Sequence, residues 1–300
     1  MKYYGVQNEV KAYCNRLQNE TSITVTPSLV KTLNDRVESL KKSGIWSQYS
    51  LGFNDQDADS YFQRASVNDV LGRAEVCWFV RGIKALGLWQ NMVSWPLRSY
   101  QNAGTGSTAY SLGGLGTFNG TLVNSPTWGL SGITVNTGQS ITLAASIICP
   151  ELVSVGFVVQ PLTNSAGNYI TSNQGGYGLF LNHHWASQGR HLGCVPAGLG
   201  SIYGCGRYSI QANFFNDLSL KFLTFQRITA GTYPDILANG VSKNGGTQGT
   251  DLTPAINRTM TDLRCEKDSL YSTIILGSNF NMETVRPLYK STIGSNLGLP

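Results

Sequence analysis

The sequence predicts a mainly β chain, a sandwich of short strands behind a small α-helical segment, and three observations predict it. The first is charge placement. Residues 1–98 hold 21 of the 39 charged side chains, whereas Ser99 to Gly189 hold one, Glu151. That stretch is too polar to cross a bilayer and too regularly patterned for disorder. The second is glycine: 28 of the 34 glycines follow residue 100, in a background of Ser, Thr, Asn and aromatics that suits turns and pleated surfaces. The third is period. Before residue 100 apolar residues recur at helical spacing; after it, short runs alternate between turn signals every 8–12 residues. Together they divide the chain into a helical attachment or assembly segment, 1–102, and a β-sandwich, 103–300.

In the helical segment Val6 to Leu17 is one predicted helix, with Val6, Val10, Tyr13, Cys14 and Leu17 inward. Two further stretches resemble each other, Ser28–Tyr49 and Asp69–Met92, each ending in a Gly–aliphatic–Trp step (Gly44-Ile45-Trp46 and Gly87-Leu88-Trp89). Leu29, Leu33, Val37 and Leu40 form the apolar face of the first; Val76, Phe79, Val80 and Ile83 form that of the second. Thr26-Pro27 supplies an N-cap and first-turn proline, and Gly44 and Gly87 supply C-terminal stops. Two readings are open for Trp46 and Trp89. They pack each helix end against the next element, or they project as anchors of an assembly interface, where buried aromatics carry much of the energy.

In the β region the predicted strands are 121–123, 133–136, 140–148, 153–159, 178–182, 208–212, 218–227, 233–237 and 272–276. In the third of these Ile141, Leu143, Ala145 and Ile147 face one way. Asn119-Gly120, Gly167-Asn168, Gly175-Gly176, Asn239-Gly240 and Gly245-Gly246 mark turns.

The segment SLGGLGTFNGTLVNSPTWGLSGITVNTGQSITL resembles the opening of concanavalin-A/laminin-G-like jelly-roll domains of phage structural proteins. Asn119, Gly120, Thr121, Leu122, Asn124, Pro126, Thr127, Trp128, Gly132 and Ile133 carry the resemblance. Val135-Asn136-Thr137-Gly138 stands where the family has FDG. LSLKFLTFQRITAGTYPDILANGVSKNG is similar to the family's central hairpin, IILGSNFN to its Leu-Gly strand, and METVRPLYKSTIGSNLGLP to its closing helix. The resemblance covers about two-thirds of the chain. It implies a virion component on the particle surface, decorating the head or belonging to a fibre or tail. Its partners would be other virion proteins, its state a homo-oligomer such as a trimer, and its place of assembly the host cytoplasm.

The chemistry inventory is thin. The acids of the β region (Glu151, Asp217, Asp235, Asp251, Asp262, Glu266, Asp268, Glu283) do not pair at strand spacing as glycoside hydrolysis requires, so the expectation is that the chain is not an enzyme. His183, His184 and His191 lack the further ligands of a recognised metal pattern, and no cofactor motif occurs. The six cysteines lack metal-ligand spacing and are expected as buried free thiols; a Cys194–Cys205 pair is the alternative. The net charge of +5 comes from scattered basic residues, which argues against nucleic acid; with no long apolar run and no signal-like N-terminus, neither a membrane span nor secretion is expected.

The richest polar and aromatic run is Tyr177 to Tyr208. Within it Trp185, Arg190, Tyr203 and Arg207 have the character of a ligand site, since aromatics beside Arg stack on sugar faces and bond hydroxyls. Protein interfaces use the same residues, and surface loops hold them too. A host glycan is therefore the alternative ligand class, the chain then acting as a tail adhesin.

Overall fold

The computed structural model describes residues 5–102, 104, 106–149, 152–162, 167–171, 180–183, 191–194, 207–210, 218–226, 229, 235–242, 258–264 and 268–300. The helices are α1 (Asn8–Glu20), α2 (Pro27–Lys42), α3 (Ile45–Gln48), α4 (Gln56–Arg64), α5 (Val70–Ala85) and, at the C-terminus, α6 (Met282–Ser291). Between α5 and α6 run β1 (Met92–Pro96), β2 (Thr108–Ala109), β3 (Gly120–Val123), β4 (Thr127–Trp128), β5 (Ile133–Val135), β6 (Ser140–Cys149), β7 (Val153–Pro161) and β8 (Gly167–Thr171). They are followed by β9 (Phe180–His183), β10 (His191–Cys194), β11 (Arg207–Ile210), β12 (Lys221–Gln226), β13 (Asp235–Ala238), β14 (Val241–Ser242), β15 (Arg258–Arg264) and β16 (Ser269–Ser278).

The helices begin and end where side-chain chemistry tells them to. Thr26 accepts from the Leu29 amide at the start of α2, with Pro27 in the first turn; Asp55, Asp69 and Asn281 cap α4, α5 and α6 the same way. Beyond α2 and α5, Gly44 and Gly87 take φ of +77° and +71°, the left-handed stop that a side chain resists. At Gly87 the closing bonds run from its amide to Lys84 O and from the Leu88 amide to Ile83 O, so the chain turns at once into β1. The paired Gly–aliphatic–Trp steps are thus two copies of one helix ending.

The strands form two antiparallel sheets, as the predicted class requires. One has eight strands, in the order β14-β13-β12-β7-β16-β5-β4, with β1 pairing the other half of the β16 edge that β5 uses. The second has the order β2-β3-β6-β15-β8-β9, and β10 and β11 form a separate hairpin. Between the sheets lies a core that includes Trp95, Ile133, Ile141, Phe157 and Phe225. Strict alternation places these inward. One bulge changes parity: the β16–β7 register slips between Tyr271 and Thr273, so Tyr271, Ile274 and Leu276 all face this core. A second interrupts β15 against β6 between Met260 and Asp262; in that stretch Ala145, expected inward, is exposed.

The other face of the eight-stranded sheet is also buried. Met92, Val158, Phe222 and Ile275 join a second apolar cluster that holds the buried residues of all the longer helices. The molecule therefore has three layers: helices, eight-stranded sheet, six-stranded sheet. The middle layer explains why β7 is buried along nearly its whole length. β1 lies on the N-terminal side of residue 103 yet belongs to this sheet, its register running from Met92↔Gly277 to Pro96↔Thr273. The sequence reading had taken Met92 as the end of a helical unit. Cys14 and Cys77 are free and buried between the helices, their thiols pushed up by burial to about 11 and about 12.

Candidate functional site

The densest meeting of ionisable and polar side chains among the described residues lies where α5, the segment after β1 and the C-terminal tail converge. Glu75, on α5, has no exposed surface. Its Oε1 accepts from Ser295 Oγ at 2.8 Å and from Asn296 Nδ2 at 3.4 Å, and its Oε2 accepts from Tyr100 Oη at 3.2 Å. Arg98 donates through Nη1 to Ile293 O at 2.6 Å and through Nε to Leu130 O at 2.8 Å, while its guanidinium lies 4.4 Å over the Tyr100 ring. Arg36 of α2 donates to Ser291 O at 3.0 Å. From α4, Tyr61 Oη donates to Gln101 O at 2.6 Å and reaches Asn102 Oδ1 at 2.5 Å.

Burial raises the Glu75 carboxyl above the usual carboxylate range; the Ser295 bond, the Arg98 and Arg36 charges and the Tyr100 bond pull it partly back. Burial also raises the Tyr100 hydroxyl, and the neighbouring Glu75 charge adds to it. Chemically this is an anchoring node. Its carboxylate oxygens are engaged by three donors and closed from solvent, so it ties α5 to the tail and meets no solute. Sequence reading missed it, although one signal was present: a lone Glu in a helix, VLGRAEVCWFVRGIKA, that is otherwise apolar almost all round.

The residues singled out from the sequence fall in two groups. Trp46 is half-buried, 5.9 Å from the Phe53 ring and 6.0 Å from that of Trp78, with Lys41 Nζ 5.6 Å from its own centroid. Trp89 is 8% exposed; Lys84 Nζ lies 5.1 Å from its ring, and Gly114 packs on it. Both rings are engaged within this chain, and the surface Trp89 has left for a partner is small. Trp185, Arg190 and Tyr203 lie outside the described residues, as do His184 and Cys205. Arg207 opens β11, paired with Cys194, at the opposite end of the hairpin from the His191↔Ile210 pair. β9 ends one edge of the six-stranded sheet, so Phe180–His183 stands at the margin of the sandwich. Among the described residues no three His, Cys, Asp or Glu side chains could hold one metal ion. Asp262 lies inside β15, paired with Thr142, where the sequence reading had placed no strand.

No family profile and no curated protein sequence matches the chain. Among solved structures it is similar to domain 4 of an extracellular arabinanase from Geobacillus stearothermophilus in complex with arabinotriose. That match has 15% identity, covers 66% of this chain and 87% of the other, and has a TM-score of 0.35. It is also similar to Trypanosoma rangeli sialidase, with 10% identity over 69% of this chain and 33% of that one, at a TM-score of 0.45. A legume lectin-like domain from Entamoeba histolytica matches at 10% identity over 63% and 87% of the two chains, at a TM-score of 0.29. These likenesses are weak, and no residue or ligand is carried over from them. They do correct one expectation. The chain was expected not to be an enzyme because its carboxylates do not pair at strand spacing. Its structural neighbours include glycoside hydrolases and a sialidase variant with trans-sialidase activity, so that exclusion is withdrawn.

Proposed function

We propose that the protein is a surface component of a phage particle, its helical layer turned to the particle and its sandwich outward. The observation that carries this reading is the layering. One face of the eight-stranded sheet is sealed by helices, and that helical layer holds most of the charged side chains of residues 1–98, on which a protein partner can register. The six-stranded sheet is left as the opposite face. The resemblance of residues 111–143 to phage jelly-roll domains supports the same reading. Partners are then other virion proteins of head or tail, with a homo-oligomer, a trimer in the simplest case, as the assembled form and the host cytoplasm as the place of assembly. Mass spectrometry of particles purified from a lysate of cells expressing the source genome tests it: the chain co-purifies in fixed ratio to the major structural protein. Recovery in the particle-free fraction alone would overturn the reading.

Within that reading the ligand class is a host-surface glycan, bound by the run that contains Trp185, Arg190, Tyr203 and Arg207. What supports this is the composition of the run and the place of β9 at the sandwich margin. A glycan array probed with the intact protein and with Trp185→Ala decides it. Binding that the substitution abolishes is expected; binding indifferent to the substitution, or none, would sink the glycan assignment and leave the particle role standing.

A further inference from the structure

We propose that α6 and the tail after it are a detachable clasp, which releases the helical layer from the sheet as one unit while the sandwich stays folded. The geometry that points to this is the position of α6 as a middle layer. Tyr289 stands between Phe79 of α5, 6.3 Å away edge to face, and Phe222 of β12, 5.4 Å away, and its hydroxyl meets Thr273 Oγ1 at 2.9 Å. Leu288 covers Gly82 of α5 so closely that a Cβ there would come within 2.4 Å of it, and Met282 covers Gly156 of β7 in the same way, at 3.0 Å. Gln226 Oε1 accepts from the Met282 amide at 2.8 Å, and Thr224 Oγ1 donates to Glu283 at 2.8 Å. Beyond α6 the tail is gripped from the other side, by Arg36, Arg98 and Glu75.

Two further features make the clasp separable. The inter-sheet core contains no helical residue, and every buried apolar residue of α1, α2, α4, α5 and α6 belongs to the outer cluster. Opening the outer cluster therefore leaves the sandwich core dry, and cooperative subunits of a fold follow such divisions. The grip on the sheet side consists of neutral side-chain bonds and a few apolar contacts around Phe222, Val158 and Ile275. On the far side Tyr61 and Arg64 of α4 bond to the segment between residues 101 and 119, which makes that end the hinge. Because the clasp is the last segment of this chain to be translated, the helical layer docks only after the strands exist.

The test is native-state hydrogen exchange of the intact protein in sub-denaturing urea, read by mass spectrometry, with Gly82→Leu beside the wild type. The proposal expects α5 and α6 amides to share one opening, at least tenfold faster than that of β3, β6 and β12. The added leucine forces Leu288 out, so it should speed exchange in both helices by roughly ten- to a hundredfold and leave those strands within about twofold. Wild-type helices and inter-sheet strands exchanging together would overturn the proposal, because the layers would then be one unit. So would α6 opening while α5 stays protected. The wild-type measurement decides the matter even if the variant does not fold.

Discussion

At Glu75 a single carboxylate receives hydrogen bonds from the tail and from the segment after β1, and its protonation should be visible in stability. Burial raises its pKa in the folded state above the ordinary value of 4.5. The folded protein then holds this proton more tightly than the unfolded chain, so the group's contribution is full below pH 4.5 and is lost as pH rises through the raised value. Urea midpoints measured between pH 4 and pH 7 should fall more in the wild type than in Glu75→Gln. Equal slopes would mean that Arg98 and Arg36 cancel the burial effect. Gln101 offers a second residue-scale test. It has no exposed surface, and among the described residues neither of its side-chain polar atoms has a hydrogen-bond partner. Gln101→Met keeps the volume and removes the buried amide, and should raise stability by about 1–3 kcal/mol in chemical denaturation. Neither residue stood out in the sequence, because burial of a lone Glu or Gln is decided by distant segments: the partners of Glu75 come from 25 and from 220 residues away.

At the scale of elements, legibility followed the strength of the local period. α2 and α5 carried caps, apolar spacing and glycine stops, and their two matching endings were readable as a pair. Gly87→Ala tests that ending: forcing a side chain into φ +71° should cost about 1–2 kcal/mol and lower the thermal midpoint. β6 and β7 were readable from alternation and apolar content. What stayed hidden was short or mixed. α4 has nine residues and buries three, Ala58, Tyr61 and Phe62, so its period is faint, although the Asp55 cap was a usable signal. β2 and β4 are two residues each. β15, RTMTDLR, alternates with charges in a way that reads as loop, and β1 was absorbed into the helical unit before it because its sequence, MVSWP, ends in proline. The inter-sheet faces of these strands bear the load of the core. Phe157→Ala, fully buried and edge-on to Phe225 at 5.9 Å, should cost about 3–5 kcal/mol.

For the molecule as a whole, the sandwich was legible and the three-layer arrangement was not. Charge density marked off the first hundred residues, but nothing local says that α6, from the opposite end of the chain, fills the space between α5 and the sheet. That information sits in complementary surfaces, Leu288 against Gly82 and Met282 against Gly156, which a single sequence does not pair. The ligand cluster was legible only as composition, since stacking and hydrogen bonding need geometry that composition lacks. The layering also gives the proposed particle role an orientation, with helices inward and the six-stranded sheet outward. The most direct measurement is immunogold labelling of intact and detergent-disrupted particles, with one antibody raised to the sandwich and another to a peptide spanning residues 28–43. The account predicts that the sandwich antibody labels intact particles and the helix antibody labels only disrupted ones. Label from the helix antibody on intact particles, or from neither antibody on any particle, would contradict it.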